Sequence, residues 1–148
     1  MNALRHSEFE IVEQQVRLDL VVPFTTPKLT QAALDSANRM GTGLDARIRL
    51  VKVQVVPFPM ELNQSPVVLA FIEEQLRHFH SELPADPEIR MARDMEPGLL
   101  GTLKRDSVVV LGYRKRAWRT REERLAVHLR RAGYHVVLVP EHEETENA

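Results

Sequence analysis

Five short runs of aliphatic and β-branched residues, with a helix-like stretch between each successive pair, leave this chain few folds to adopt. The runs are Leu18 to Phe24 (LDLVVPF), 46-ARIRLVKVQVVPF-58, 84-PADPEIRMARD-94, Ser107 to Gly112 (SVVVLG) and Tyr134 to Pro140 (YHVVLVP). The first and fourth are almost wholly apolar, as strands covered on both faces must be. The third is shorter and more polar, which suits a sheet edge. The segments between them carry start and stop signals. Thr26-Pro27 offers an N-cap and a first-turn proline, then Leu29, Ala33, Ala37 and Met40 fall at helical spacing before Gly41 and Gly43.

Ser65-Pro66 repeats the device ahead of Leu69, Ile72, Leu76, Phe79 and Leu83, with Glu73 and Arg77 spaced to pair on the outer face. Glu96-Pro97 begins a short helix with Leu99, Leu100 and Leu103. Thr120-x-x-Glu123 is a capping box, and its helix runs through Leu125 and Leu129 to Gly133. Strands joined by helical crossovers imply a parallel sheet with helices on both faces, because the crossover is almost always right-handed. The expected class is a single-domain α/β three-layer sandwich.

At 148 residues one domain is expected, and 43% hydrophobic with 28% charged residues is ordinary for a globular protein. The apolar runs are too short to span a membrane, and MNALRHSEFEIVEQQ lacks the apolar centre of a signal peptide, so a cytoplasmic protein without membrane insertion is expected. The absence of cysteine removes disulfides, thiolate metal sites and a Cys nucleophile. A net charge of −1 argues against a general nucleic-acid binder. The charge is nonetheless uneven: Arg114, Lys115, Arg116, Arg119 and Arg121 crowd one segment, and four glutamates lie in the closing EHEETENA.

From about Leu18 to Pro140 the chain resembles the universal stress protein family. The resemblance is carried by VVPFTTPKLTQAALDSANRM, by RIRLVKVQVVPFP and above all by SVVVLGYRKRAWRTREERLAVHLRRAGYHVVLVP. It implies a five-stranded parallel sheet in the order 3-2-1-4-5, of the adenine nucleotide alpha hydrolase-like kind. It also implies a homodimer, formed here through the last strand, Tyr134 to Pro140. Residues 1–16 would then be an N-terminal extension, 17–140 the universal stress protein-like domain and 141–148 a solvated acidic tail.

Members that bind ATP carry G-x2-G-x9-G-[S/T] after the fourth strand, where glycines let the backbone approach the phosphates. Counted forward from Gly112, the second glycine falls on Lys115 and the final pair on Leu125-Ala126. Counted back from Leu-Arg-Arg-Ala, the pair falls near Glu122-Glu123. The aspartate that follows the family's first strand corresponds to about Phe24, and Val55 matches its apolar residue at the end of the second strand. Glu122 and Glu123 add negative charge where a triphosphate would lie. At ~6 Å and an effective dielectric of about 20, each could cost up to roughly 3 kcal/mol. ATP binding is therefore disfavoured, and no cofactor is expected.

The basic run 114-RKRAWR-119 remains the best candidate site, since it follows the fourth strand where strand order should reverse. Together with Phe24, Val55 and Gly112, its residues Arg114, Lys115, Arg116 and Arg119 could hold a phosphate, and Trp118 could stack on a base. The plainer reading is a solvated loop whose arginines pair with glutamates nearby or across a dimer. Paired carboxylates adjacent in sequence diverge, the histidines are scattered, and no serine elbow occurs, so no catalytic or metal-binding set is expected. Three functions stay open: a non-enzymatic interaction or regulatory module without ATP, a nucleotide- or phosphate-binding stress protein using 114–119, and a free-standing regulatory domain that partners a membrane transporter.

Overall fold

The structure, a computed structural model, describes residues 17–60, 66–80 and 85–142 of the chain. Five strands and four helices alternate: β1 (Leu18–Pro23), α1 (Pro27–Gly41), β2 (Ala46–Val55), α2 (Pro66–His80), β3 (Asp86–Ala92), α3 (Met95–Leu100), β4 (Ser107–Tyr113), α4 (Arg121–Arg131) and β5 (His135–Pro140). They form one parallel sheet, as the alternation of strands and helices predicts, in the order β3-β2-β1-β4-β5 that the family resemblance implies.

Side-chain alternation along each strand builds two cores. Leu20, Val22, Ile48, Leu50 and Val110 point to one face, where α1 supplies Ala33, Leu34 and Ala37 and α2 supplies Ile72 and Leu76. Val21, Val51, Val53, Val109, Leu111 and Val136 point to the other, against Leu99 of α3 and Ala126 and Leu129 of α4. No helix among the described residues is long and apolar enough to cross a membrane.

Local chemistry sets the element ends. The Thr26 side chain accepts from Leu29 N, with Pro27 in the first turn of α1. Thr120 and Glu123 complete the reciprocal capping box at the start of α4, which leaves the helix through Gly133 at φ 96°. The Ser65 cap proposed for α2 and the Phe79 and Leu83 positions of its stripe lie outside the described side chains, as do residues 1–16. Glu73 and Arg77 form no ion pair; both flank a cleft of about 480 Å³ between α2 and β3. The third helix is shorter than its leucine pattern suggests. It stops at Leu100, and Leu103 packs on the core from the following turn. Gly98 is what lets α3 sit so low, because a Cβ there would meet Val53 Cγ1 at 2.7 Å and Ala92 Cβ at 2.6 Å.

A polar cluster closes the opposite end of the sheet from the basic loop. Arg49 Nε and Nη2 donate to the two carboxylate oxygens of Asp19 at 2.9 and 2.8 Å, and Nη2 also donates to Thr102 O at 2.9 Å. Its Nη1 donates to Glu88 at 2.9 Å, and Ser107 Oγ donates to Asp19 at 2.6 Å while accepting from Lys104 N. Asp19, Arg49 and Ser107 are all buried. Burial pushes the Asp19 pKa up, but the hydrogen bonds from Arg49 and Ser107 and the charges of Arg49 and Lys104 outweigh it and hold the carboxyl below its usual range. The bond to Asp19 raises the Arg49 pKa against the effect of burial. One buried cluster thus ties β1, β2, β3 and β4 together.

Candidate functional site at the carboxyl ends of the strands

Strand order reverses between β1 and β4, and open α/β sheets bind ligands in the crevice at such a point. Here the two strands pair only from Asp19↔Ser107 to Val21↔Val109, while β4 continues to Tyr113. Beyond Val21 they part. The gap does not remain open, because the first turn of α1 lies in it. A Cβ on Gly112 would fall well inside van der Waals contact of the Leu29 carbonyl oxygen and carbon. The α1 backbone thus packs directly on Gly112 and leaves no room for a side chain there.

Phe24 leaves β1 and packs against the α1/α2 core, with Lys52 Nζ 4.9 Å from its ring centroid. Lys52 has the same parity as Leu50 and so faces inward, half-buried, and burial lowers its pKa. Sequence reading passed over it, although a lysine in the run Leu-Val-Lys-Val at a core-facing position was the available signal. Val55 is 43% exposed at the end of β2. Thr25 Oγ1 is the one buried side-chain polar atom without a hydrogen-bond partner among the described residues.

The basic loop follows β4. Arg114 is not a free cation: its Nε and Nη2 donate to the two oxygens of Glu141 at 2.6 and 3.2 Å. The Glu141 backbone N donates to Tyr113 O, which extends the β4–β5 ladder by one residue. Glu141 has only 18% of its side chain exposed. The Arg114 hydrogen bond lowers the Glu141 pKa against a small effect of burial, with Arg114, Lys28 and Arg116 adding their charges. Arg114 is raised in turn, chiefly by Glu141 and also by Glu122. Glu141, the first residue of the expected acidic tail, is thus docked where the chain leaves β5. His142 makes a second attachment, to Asp35 of α1 at 3.2 Å. Residues 143–148 lie outside the described part.

Lys115, Arg116 and Arg119 are exposed, and none has a carboxylate bonded to it among the described residues. Trp118 is 72% exposed. The expected arginine–glutamate pairing therefore holds for Arg114 alone. The structure brings Phe24, Val55, Gly112 and Arg114 to the same end of the sheet. Among the described residues no group of three or more His, Asp or Glu could hold a metal ion.

The loop after β2 stands at the same end. Arg93 Nη1 donates to the carbonyls of Val56, Pro57 and Met60 at 3.2, 3.3 and 2.6 Å, and its guanidinium lies 4.9 Å from the Phe58 ring centroid. The arginine holds the loop in one shape, with Phe58 83% exposed and Met60 also exposed. Neither residue drew notice in the sequence, because an apolar residue after a strand reads equally well as core.

No protein-family model and no curated protein matches the chain. Among solved structures it is similar to the crystal structure of a protein from the universal stress protein family from Burkholderia pseudomallei, with 22% sequence identity, 82% of this chain and 95% of that chain covered, and a TM-score of 0.47.

Proposed function

We propose that this protein is a universal stress protein-like interaction or regulatory module, non-enzymatic, that does not bind ATP. The observation that carries this reading is the closure of the switch point by the protein itself, with the α1 backbone resting on Gly112. The donors at the start of α4 are also engaged in the Thr120–Glu123 capping box. A glycine that gives way to a helix cannot at the same time give way to a triphosphate. The β5 edge supports the expected homodimer: β5 is the outer strand of the sheet, its apolar side chains pack into the two cores, and among the described residues its outer backbone edge has no strand partner. Pairing with a second copy would cover it in a two-fold manner.

Thermal unfolding with millimolar ATP, ADP, AMP and cyclic nucleotides, with magnesium present, tests the loss of ATP binding. No ligand should move the midpoint. A nucleotide at 100 times its Kd would add about 2.7 kcal/mol and shift the midpoint by several degrees, which would establish the phosphate-binding reading instead.

A partner-dependent module is the second reading, and the Phe58–Met60 loop favours it. Exposed apolar side chains in a clamped loop, away from the β5 edge, suit a protein surface. The same patch is where a transporter or other partner would dock.

A further inference from the structure

We propose that Glu141 is an internal counter-ion that occupies the oxyanion-binding fork of the Arg114 guanidinium. The proposal rests on the reading that wild-type protein binds no nucleotide, and it gives that reading a second, removable cause.

Three observations converge on Glu141. Arg114 grips its carboxylate with two N–H donors, the fork geometry that guanidinium groups use for carboxylate and phosphate alike. Lys28, at the start of α1, and Arg116 both lie close enough to add to the attraction. The glutamate backbone is fixed by its bond to Tyr113 O, so the carboxylate is held over the ends of β4 and β5 by the strand ladder itself. The Arg114 guanidinium holds an anion that belongs to the chain itself, with the charges of Arg116 in the same loop and Lys28 in the first turn of α1 adding to the attraction. The Arg114 fork is thus occupied before any ligand arrives.

The chemistry defines the ligand class. A small polyphosphate or phosphoryl group offers the planar pair of oxygens that Arg114 holds in Glu141, and needs no glycine cradle or base-binding pocket. It would have to displace the carboxylate and would be repelled by it on approach. For a doubly charged anion at about 6 Å in a water-like dielectric, that repulsion alone weakens binding about tenfold. Glu122 also lies within electrostatic reach of Arg114, so it leaves part of the repulsion in place.

Isothermal titration with inorganic pyrophosphate at low salt tests this on the full chain. Glu141→Gln should bind pyrophosphate at least tenfold more tightly than wild type, and Glu141→Gln with Glu122→Gln should bind more tightly still. Adding Arg114→Ala to Glu141→Gln should abolish the gain. Equal binding by wild type and Glu141→Gln overturns the proposal, and so does a gain that survives Arg114→Ala. Circular dichroism of each variant separates these results from misfolding. As a second measurement, the Glu141 carboxyl of wild type, followed by NMR, should titrate at higher pH in saturating pyrophosphate than without it. An unchanged titration overturns the displacement. ATP binding by wild type would defeat the functional reading above while leaving the comparison of Glu141 variants to be decided on its own.

Discussion

Single side chains carry the sharpest expectations. Gly112→Ala should be severe, because the atom in its way is α1 backbone, which cannot rotate aside. The cost should exceed the ~1–3 kcal/mol usual for overpacking, whereas Gly101→Ala meets nothing closer than 3.5 Å and should cost little. Urea unfolding of the two variants makes the comparison. Arg49→Met strands the buried Asp19 carboxylate and should cost about 3–5 kcal/mol, and replacing Asp19 by Leu as well should recover part of it. The same carboxyl sets a pH dependence. Its folded pKa lies below the ordinary value of 3.8, so its contribution is present above that value and is lost as pH falls through the lower folded one. Denaturant midpoints measured from pH 6 down to pH 2 should fall in wild type, and by less in a chain where both Asp19 and Arg49 are apolar.

Elements were legible where their signals are local. A cap needs only a hydroxyl and a proline or glutamate at fixed spacing, and Thr26-Pro27 and Thr120-x-x-Glu123 both do what their spacing implies. Thr120→Ala should therefore cost about 1 kcal/mol, seen as a lower urea midpoint at unchanged slope. The α4 exit is less local: Arg130 Nη2 donates to Val136 O at 2.8 Å and ties the last turn to β5. Edge character was also readable. β3 carries Pro87, Glu88 and Arg90, which discourage further pairing, whereas β5 carries no charge between His135 and Pro140. The third helix was misjudged in length because Leu103 fits helical spacing yet reaches the core from a turn.

As an assembly, the protein presents one end of its sheet sealed by the Asp19–Arg49–Ser107 cluster and the other carrying the basic loop, Trp118, Phe58 and Met60. Sedimentation equilibrium should give twice the chain mass, independent of nucleotide, if the β5 edges pair. A monomer at micromolar concentration would remove the strand-pairing model. Phe58→Ser should leave stability within about 0.5 kcal/mol of wild type, since the ring is already in water, and any lost association in that variant would mark the loop as a partner surface.

Strand and helix periods, caps and the apolar alternation are written in neighbouring residues, so the five strands, the four helices and a parallel sheet could be read from the chain alone, while the strand order came from the resemblance to a known family. The contacts between distant segments could not. Asp19, Arg49 and Ser107 are 30 and 58 positions apart along the chain and meet only because β1 lies between β2 and β4. That α1 rests on Gly112, and that β5 delivers Glu141 to Arg114, shows only in the packed chain. Local sequence encodes backbone preference, but which groups share a site depends on contacts between segments that only the packed sheet brings together.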